Sequence, residues 1–158
     1  MKERELMSDN VLEARSQAGN KYKSGFNCAE AILNAFNEML SKPLNAEGLK
    51  MASGFGGGLG HAGSLCGALA GSVMVLGLYE GRTDSSQSRE PIYKLANEFH
   101  DRFKNQFGGI DCRTLNLHPF DSQEHMKGCL KLTGGTAKLL MEFLQEKKLV
   151  DNDFSWSV

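Results

Sequence analysis

The feature that most constrains the fold is a segment of 15 residues, Leu65 to Tyr79, that is apolar on every face of a helix. Ser72 and three glycines are its only interruptions. A helix without a polar face is stable when other elements surround it. A membrane span needs about 20 apolar residues, so the segment predicts the central helix of a folded core.

Helical spacing of apolar residues recurs elsewhere, whereas the alternation typical of strands is absent. Asn27 to Leu40 has this spacing, and Pro43 prevents much extension. Ser88 to Phe107 has it too and ends at two glycines. Further helices are predicted after Ser8 or Asp9, over Asn45 to Ser53, and over Ser122 to Lys147, with a break at Gly134-Gly135 left open. The pattern predicts an all-α, single-domain bundle of about five to seven helices over residues 1–158.

Composition excludes several classes of protein. The 41% hydrophobic and 23% charged residues are ordinary for a globular chain and exclude a disordered one. A net charge of −1 provides no basic field for nucleic acid. The first residues, MKERELMSDNV, lack the apolar segment of a signal peptide. We therefore expect a cytoplasmic protein without nucleic-acid binding or membrane insertion.

Four cysteines are the candidate functional residues: Cys28, Cys66, Cys112 and Cys129. Gaps of 38, 46 and 17 residues separate them, and none forms a C-x-x-C pair. Zinc ribbons and thioredoxin-type motifs are thereby excluded. Any shared chemistry has to be assembled in space from separate helices.

Three of these cysteines fall at predicted helix starts. Asn27 would cap the helix at Cys28, Asp111 the one at Cys112, and Ser64 the central helix, with Cys66 in its first turn. Free N–H groups at a helix start favour a thiolate. We expect Cys28, Cys66 and Cys112 to converge at one end of the bundle. Cys66 is expected to react faster than Cys129, because the glycine loop gives access to it.

Cys129 lies within a predicted helix, four residues after His125 and on the same face. His125 could therefore serve as a base or a co-ligand. The alternative for every cysteine is that it packs as a small apolar residue. His61, His100 and His118 have no mutual spacing that indicates a metal site by themselves.

The segment GFGGGLGHAG, residues 54–63, contains a formal GxGxxG match. That motif needs a preceding strand, and here a helix precedes it, so nucleotide binding is disfavoured. Small residues instead allow close approach of the backbone. We expect Gly56, Gly57 and Gly58 to border the sulfur site as its cofactor-binding residues, with N–H groups aimed beside Cys66.

These motifs resemble a known family. The matching segments are GFNCAEAILNAF, ASGFGGGLGHAGSLCGALAGSVMVLGL, FGGIDCRTL and KGCLKL, over about residues 22–140. Together they are similar to the redox-active family C_GCAxxG_C_C, with CGAxxG at Cys66 to Gly71. The resemblance implies a bacterial or archaeal cytoplasmic protein in which Cys28, Cys66, Cys112 and Cys129 carry the redox chemistry.

Three functions stay open. The first is thiol–disulfide or electron-transfer chemistry, as in a thiol oxidoreductase, with a redox partner or a small sulfur compound as substrate. The second is a metal site, iron–sulfur or zinc, held by Cys28, Cys66, Cys112 and Cys129. The third is a helical interaction module with buried structural cysteines. The sequence leaves both enzymatic activity and a homodimer open.

Overall fold

The computed structural model describes residues 2–40 and 44–150. Of the described residues, 73% are helical and none lies in a strand, which confirms the all-α fold. A 3₁₀ turn covers Ser53–Phe55, and a single turn covers Gly56–Leu59. The other helices of the described residues are α1 (Lys2–Lys23), α2 (Cys28–Met39), α3 (Ala46–Lys50), α4 (Gly67–Glu80), α5 (Glu90–Phe107), α6 (Cys112–Leu115) and α7 (Gln123–Glu146).

Helix α2 begins where the sequence predicts, because its cap is complete. The side chain of Asn27 accepts a hydrogen bond from the N–H of Glu30 at 2.9 Å. The carboxylate of Glu30 accepts one from the N–H of Asn27 at 3.0 Å. This reciprocal arrangement is a capping box. Helix α2 ends at Met39, and Pro43 lies outside the described residues.

Helix α4 is the predicted central helix and packs against α2, α5 and α7. Its glycines allow the closest of these contacts. A Cβ atom on Gly71 would lie 2.8 Å from the carbonyl oxygen of Ala29 in α2. The two backbones therefore meet directly, as an all-apolar helix with small residues permits.

Helices α5 and α7 enclose a group of three fully buried rings, Phe99, Phe103 and Phe143, which we call the phenylalanine core. Phe99 and Phe143 meet edge to face, with their centroids 5.4 Å apart. Aromatic side chains of this size contribute much of the apolar surface that folding buries. The apolar spacing of α5 in the sequence thus corresponds to its buried face.

Several predicted boundaries are wrong. Helix α1 begins at Lys2 rather than after Ser8 or Asp9, and Glu3 and Glu5 in its first turn favour the helix dipole. Helix α3 is shorter than predicted, and α5 begins two residues later, with Ser88 accepting from the N–H of Glu90.

Gly134-Gly135 does not break α7, which is continuous from Gln123 to Glu146. A Cβ on Gly135 would lie 3.3 Å from the ring of Phe107, and one on Gly134 equally close to Arg15 Cγ. The pair therefore gives neighbouring side chains room beside the helix. Among the described residues, no helix is long and apolar enough to cross a membrane.

Candidate functional site

The four cysteines line one enclosed cavity of about 20 Å³. That volume is close to what a single water molecule needs. Gly57, Gly67, Asn116, Leu132 and Thr133 complete its wall. The structure thus brings together the three cysteines that were expected to converge, and Cys129 joins them.

Gly67, the second residue of the CGAxxG element, makes room for a neighbouring thiol. A Cβ at this position would lie 2.5 Å from the Sγ of Cys28 and 2.7 Å from the carbonyl oxygen of Phe55. Any side chain here would displace the sulfur or the loop backbone. The glycine therefore fixes how closely α2 and α4 hold their cysteines.

Backbone pairing holds Cys66 next to Cys112. The N–H of Cys66 donates to the carbonyl of Ile110 at 2.8 Å, and the N–H of Cys112 donates to that of Ser64 at 2.6 Å. Leu65 and Asp111 form an isolated antiparallel bridge between these bonds. The bridge thereby places Cys66 and Cys112, which are 46 residues apart in the sequence, diagonally across it.

The predicted caps are correct for one cysteine and differ for two. Cys28 follows the Asn27 cap as expected. Cys66 is itself the N-cap residue of α4, so Ser64 does not cap this helix. Asp111 occupies the N-cap position before Cys112, but its side chain makes no capping hydrogen bond, and α6 has four residues.

The four thiols differ in their access to solvent. An open cleft of about 480 Å³ is lined by Cys28 and Cys129, and the described residues that line it do not include Cys66 or Cys112. We call Cys28 and Cys129 the cleft thiols and the other two the inner thiols. Cys66 is 4% exposed and Cys112 is 6% exposed. The cleft thiols line both the cleft and the cavity behind it.

Burial controls the ionisation of these thiols. It raises the pKa of Cys28 to about 11, although the backbone N–H groups of Gly57 and Ala29 favour its thiolate. It raises the pKa of Cys66 to about 12, against the N–H groups of Leu69 and Ala68. The expectation that Cys66 is activated is therefore wrong, because desolvation outweighs the helix-start effect at a sealed sulfur.

Burial also raises the pKa of Cys112 and that of Cys129. Interactions with the neighbouring thiols add to these shifts: Cys28 with Cys129, Cys66 with Cys28, and Cys112 with Cys129. A negative charge on one sulfur therefore disfavours a second charge nearby. At neutral pH the four thiols are therefore protonated in the resting protein.

Cys129 has polar neighbours, and the sequence predicted one of them, His125. Its Sγ lies 3.4 Å from His125 Nε2, so the expected proximity of His125 is confirmed. Burial lowers the pKa of His125, which leaves the ring neutral at pH 7.

Two further polar residues at Cys129 were missed. Asn116 Nδ2 donates to the sulfur at 3.4 Å, and the hydroxyl of Tyr22 hydrogen-bonds to it as well. Tyr22 lies in the last turn of α1. Asn116 follows Cys112 by four residues but lies beyond the short helix α6. No local pattern distinguished either of them.

The glycine loop approaches a different sulfur from the one expected. Its Gly57 contributes a backbone N–H to Cys28, not to Cys66. Gly57 and Gly58 both have φ in the left-handed region, at 64° and 66°, which glycine adopts without strain. Gly56 packs on the side chain of Asn27, where a Cβ would lie 2.6 Å from Nδ2.

The remaining histidines occupy separate surroundings. His61 lines the cleft and stacks on Phe120 with centroids 4.3 Å apart, and Phe120 in turn meets His125. His100 pairs with Asp101 at 3.0 Å on α5. In the parts of the chain that are described, no group of three or more His, Cys, Asp or Glu side chains is arranged to hold a metal ion.

Fold and site together define an all-α protein with a four-cysteine centre at the base of a cleft. Residues 26–143 match the family described as "Putative redox-active protein (C_GCAxxG_C_C)", and the chain belongs to this family. It is also 27% identical over 131 residues to an "Uncharacterized protein" of Archaeoglobus fulgidus, covering 77% of this chain and 87% of that one. No solved structure is significantly similar to it.

Proposed function

We propose that this protein is a cytoplasmic thiol–disulfide redox protein that reacts through its cleft thiols. The observation that carries the proposal is that Cys28 and Cys129 line both the open cleft and the enclosed cavity. A substrate in the cleft can therefore reach two sulfurs that also adjoin the inner pair. The family description as redox-active agrees with this chemistry.

Cys28 is the thiol that attacks first. It is the least buried of the four, and the other three are below 9% exposure. It also has the N–H groups of Gly57 and Ala29 beside its sulfur, which stabilise the charge of a thiolate. Access and charge stabilisation thus coincide at Cys28, whereas Cys66 has the second property alone.

The reaction with a small disulfide, RSSR, proceeds in two exchanges. The thiolate of Cys28 attacks one sulfur, the S–S bond breaks, and RS⁻ leaves as Cys28–S–S–R forms. Cys129 then attacks Cys28 Sγ, the Cys28–S–S–R bond breaks, and the proton of Cys129 passes to the departing sulfur, which leaves as the second RSH. The protein has lost two electrons to RSSR, and the two protons from its thiols end on the two RSH products.

The inner thiols supply a second pair of electrons. Cys66 and Cys112 lie diagonally across the bridge between Leu65 and Asp111, and both line the same cavity as the cleft thiols. Their dithiol can reduce the Cys28–Cys129 disulfide by the same exchange, so that the disulfide moves inward and the cleft thiols are restored. The cavity has space for about one water molecule, so it keeps other nucleophiles away from the sulfurs while the disulfide moves inward.

The two alternatives make different predictions for this site. A Cys₄ metal centre needs thiolates in coordinating geometry, and the described side chains are not arranged in that way. We therefore derive no step through a metal. Structural cysteines would account for the burial of three thiols, but an interaction module has no need of a cleft that reaches Cys28 and Cys129.

The test is to incubate the reduced protein anaerobically with oxidised glutathione and to map the products by mass spectrometry. The native chain should first form a Cys28–Cys129 disulfide and release about two glutathione molecules, and about four in total once the disulfide has moved to Cys66 and Cys112 and the restored cleft thiols have reacted again. The variant Cys129→Ser should stop at a mixed disulfide on Cys28, because the resolving thiol is missing. The proposal is wrong if neither protein reacts until it is denatured.

Cys66→Ser is the matched control, since it removes a thiol of the same centre that does not face the cleft. It should retain both exchanges at Cys28 and Cys129. Its circular dichroism spectrum should show the helix content of the native chain, so that a loss of reaction cannot come from unfolding. If Cys66→Ser abolishes the first adduct, Cys28 is not the attacking thiol.

A further inference from the structure

A second concave surface lies between α1 and α7. It is a groove of about 530 Å³, within the range that holds small ligands. We call it the cationic groove, because Arg15, Lys23, Lys127 and Lys131 line it and no carboxylate does. The chain as a whole carries a net charge of −1. The excess of positive charge along this groove is therefore local, because the chain as a whole has none.

The four cations have no acidic partner among the residues that the structure describes. Among the described residues, every salt bridge involves other basic side chains. Glu13, on the same helix as Arg15, accepts a hydrogen bond from Gln17 at 2.8 Å. Lys127 and Lys131 are four residues apart in α7, a spacing at which like charges repel. A bound anion would relieve this repulsion.

The groove is kept open by residues without side chains. Gly19 of α1 and Gly134 of α7 both line it. A Cβ on Gly134 would lie 3.3 Å from Arg15 Cγ, so the stem of Arg15 lies along α7 at this glycine. Leu12, which is 56% exposed, and Leu130 add apolar surface beside the charges. The groove thus combines a cationic part with an apolar part.

From this arrangement we infer that the cationic groove binds a small phosphorylated organic molecule with two or more adjacent negative charges. Arg15 offers the planar fork that matches a phosphate, and the three lysines act as compact point charges. Leu12 and Leu130 contact the uncharged part of the ligand. This site is separate from the thiol centre, and its function does not depend on thiol exchange.

The test is calorimetric titration of the reduced full chain in about 0.15 M salt, where charges beyond about 8 Å are screened. ADP is the probe that carries both a diphosphate and an apolar base, pyrophosphate carries the charge alone, and adenosine lacks the charge. ADP should bind most tightly, pyrophosphate more weakly, and adenosine at least about 100-fold more weakly than ADP, as loss of two charge-assisted contacts implies. The affinity for ADP should fall as salt rises.

Arg15→Gln and Lys131→Gln should each weaken ADP binding about tenfold, the loss of one charge-assisted contact. Lys104→Gln on α5 removes the same charge outside the groove and should leave binding unchanged. Absence of saturable binding by ADP and pyrophosphate overturns the inference, and so does an equal loss in Lys104→Gln. Binding of a single-stranded oligonucleotide or polyglutamate without binding of ADP would also overturn it, since the surface would then recognise an acidic macromolecule.

Discussion

The thiol centre and the phenylalanine core are both buried, yet they are built in opposite ways. In the core, Phe99, Phe103 and Phe143 meet from two long helices whose apolar spacing continues over many turns. In the thiol centre, four cysteines come from α2, α7 and two helix starts, and backbone bonds between loops hold two of them. Glycines take the place of side chains around these sulfurs.

The difference separates what stabilises the molecule from what makes it react. Aromatic packing has no titratable group, so the core contributes equally at every pH. The thiol centre holds polarizable, ionisable sulfurs in a cavity with space for about one water molecule. Its burial raises the pKa of every thiol and holds them neutral until a reagent arrives. The comparison therefore predicts distinct responses to substitution in the two regions.

Phe103→Ala should give the largest loss of stability. Phe103 is fully buried, and removal of a phenyl ring leaves a cavity that typically costs about 3–5 kcal/mol. Urea unfolding measures the loss, and alkylation of folded Cys28 should proceed at the native rate. If the variant does not fold, Phe103→Leu gives the same direction at a smaller size. A changed rate at Cys28 would show that the two regions are not independent.

Gly67→Ala should cost about 3 kcal/mol, as overpacking of a rigid site does. The new Cβ would lie 2.5 Å from Cys28 Sγ and 2.7 Å from a backbone oxygen, and the oxygen cannot move without shifting the loop. Alkylation of Cys28 should change as well, because the sulfur is displaced. Urea unfolding and mass spectrometry of alkylated peptides report the two effects.

Gly77→Ala is the matched control for that substitution. Gly77 lies in the same helix, and a Cβ there would meet no atom within 4 Å. Alanine in a helix interior is favoured over glycine by about 1 kcal/mol. We expect Gly77→Ala to stabilise the protein and leave Cys28 unchanged. Equal losses in the two variants would mean that helix α4 tolerates no alanine, rather than that Cys28 needs Gly67.

The same contrast explains how much of the fold the sequence predicts. Helix α2 was predicted to the residue at its start because its cap is local, and the extent of α5 was predicted within two residues because its apolar spacing is local. The start of α1 was not predicted correctly, because its first turns have no apolar stripe. Acidic residues in the first turn stabilise this helix start instead. Gly134-Gly135 suggested a break in α7, because the close approach of Arg15 and Phe107 cannot be read from neighbouring residues.

For the site, the sequence identified the four cysteines and His125 but not their order of access. The N–H groups beside Cys66 belong to the start of its own helix, so neighbouring residues in the sequence are enough to predict them. Its burial results from α4 packing between other helices, which the spacing of residues does not quantify. Tyr22 and Asn116 reach Cys129 from distant segments. Long-range packing therefore decided which thiol faces the cleft.

Stability should depend on pH through the thiols and not through the phenylalanine core. The pKa of Cys28 is about 11 in the folded protein against an ordinary 9.0. A raised folded pKa gives stability that is complete below pH 9 and is lost as pH rises through 11. The rise of the pKa from 9.0 to about 11 corresponds to about 3 kcal/mol at most. Urea unfolding at pH 8 and at pH 10.5 should show this fall in the free energy of unfolding. Cys28→Ala should make the fall smaller, whereas Phe103→Leu should leave the dependence on pH unchanged.

Asn27→Ala should cost about 1 kcal/mol, the usual loss on removing a helix cap. It removes the acceptor for the N–H of Glu30 and the 3.0 Å bond to the carbonyl of Ser53. Loosening of the first turn has two opposite effects on Cys28, because it weakens the stabilising N–H groups but admits water. Burial is the larger influence on the pKa of Cys28, so we expect its alkylation to become several-fold faster at pH 8. Peptide mass spectrometry after timed alkylation measures this rate.

Asn45→Ala provides the matched control, since Asn45 caps α3 in the same way, accepting from the N–H of Gly48 at 2.8 Å. Helix α3 has five residues and buries none of them, so loss of its cap should cost less than loss of the Asn27 cap. Alkylation of Cys28 should stay at the native rate, because α3 does not line the cleft or the cavity. If Asn27→Ala slows alkylation instead, the N–H groups outweigh burial at Cys28. In that case the first step of the exchange depends on charge stabilisation at the helix start rather than on access.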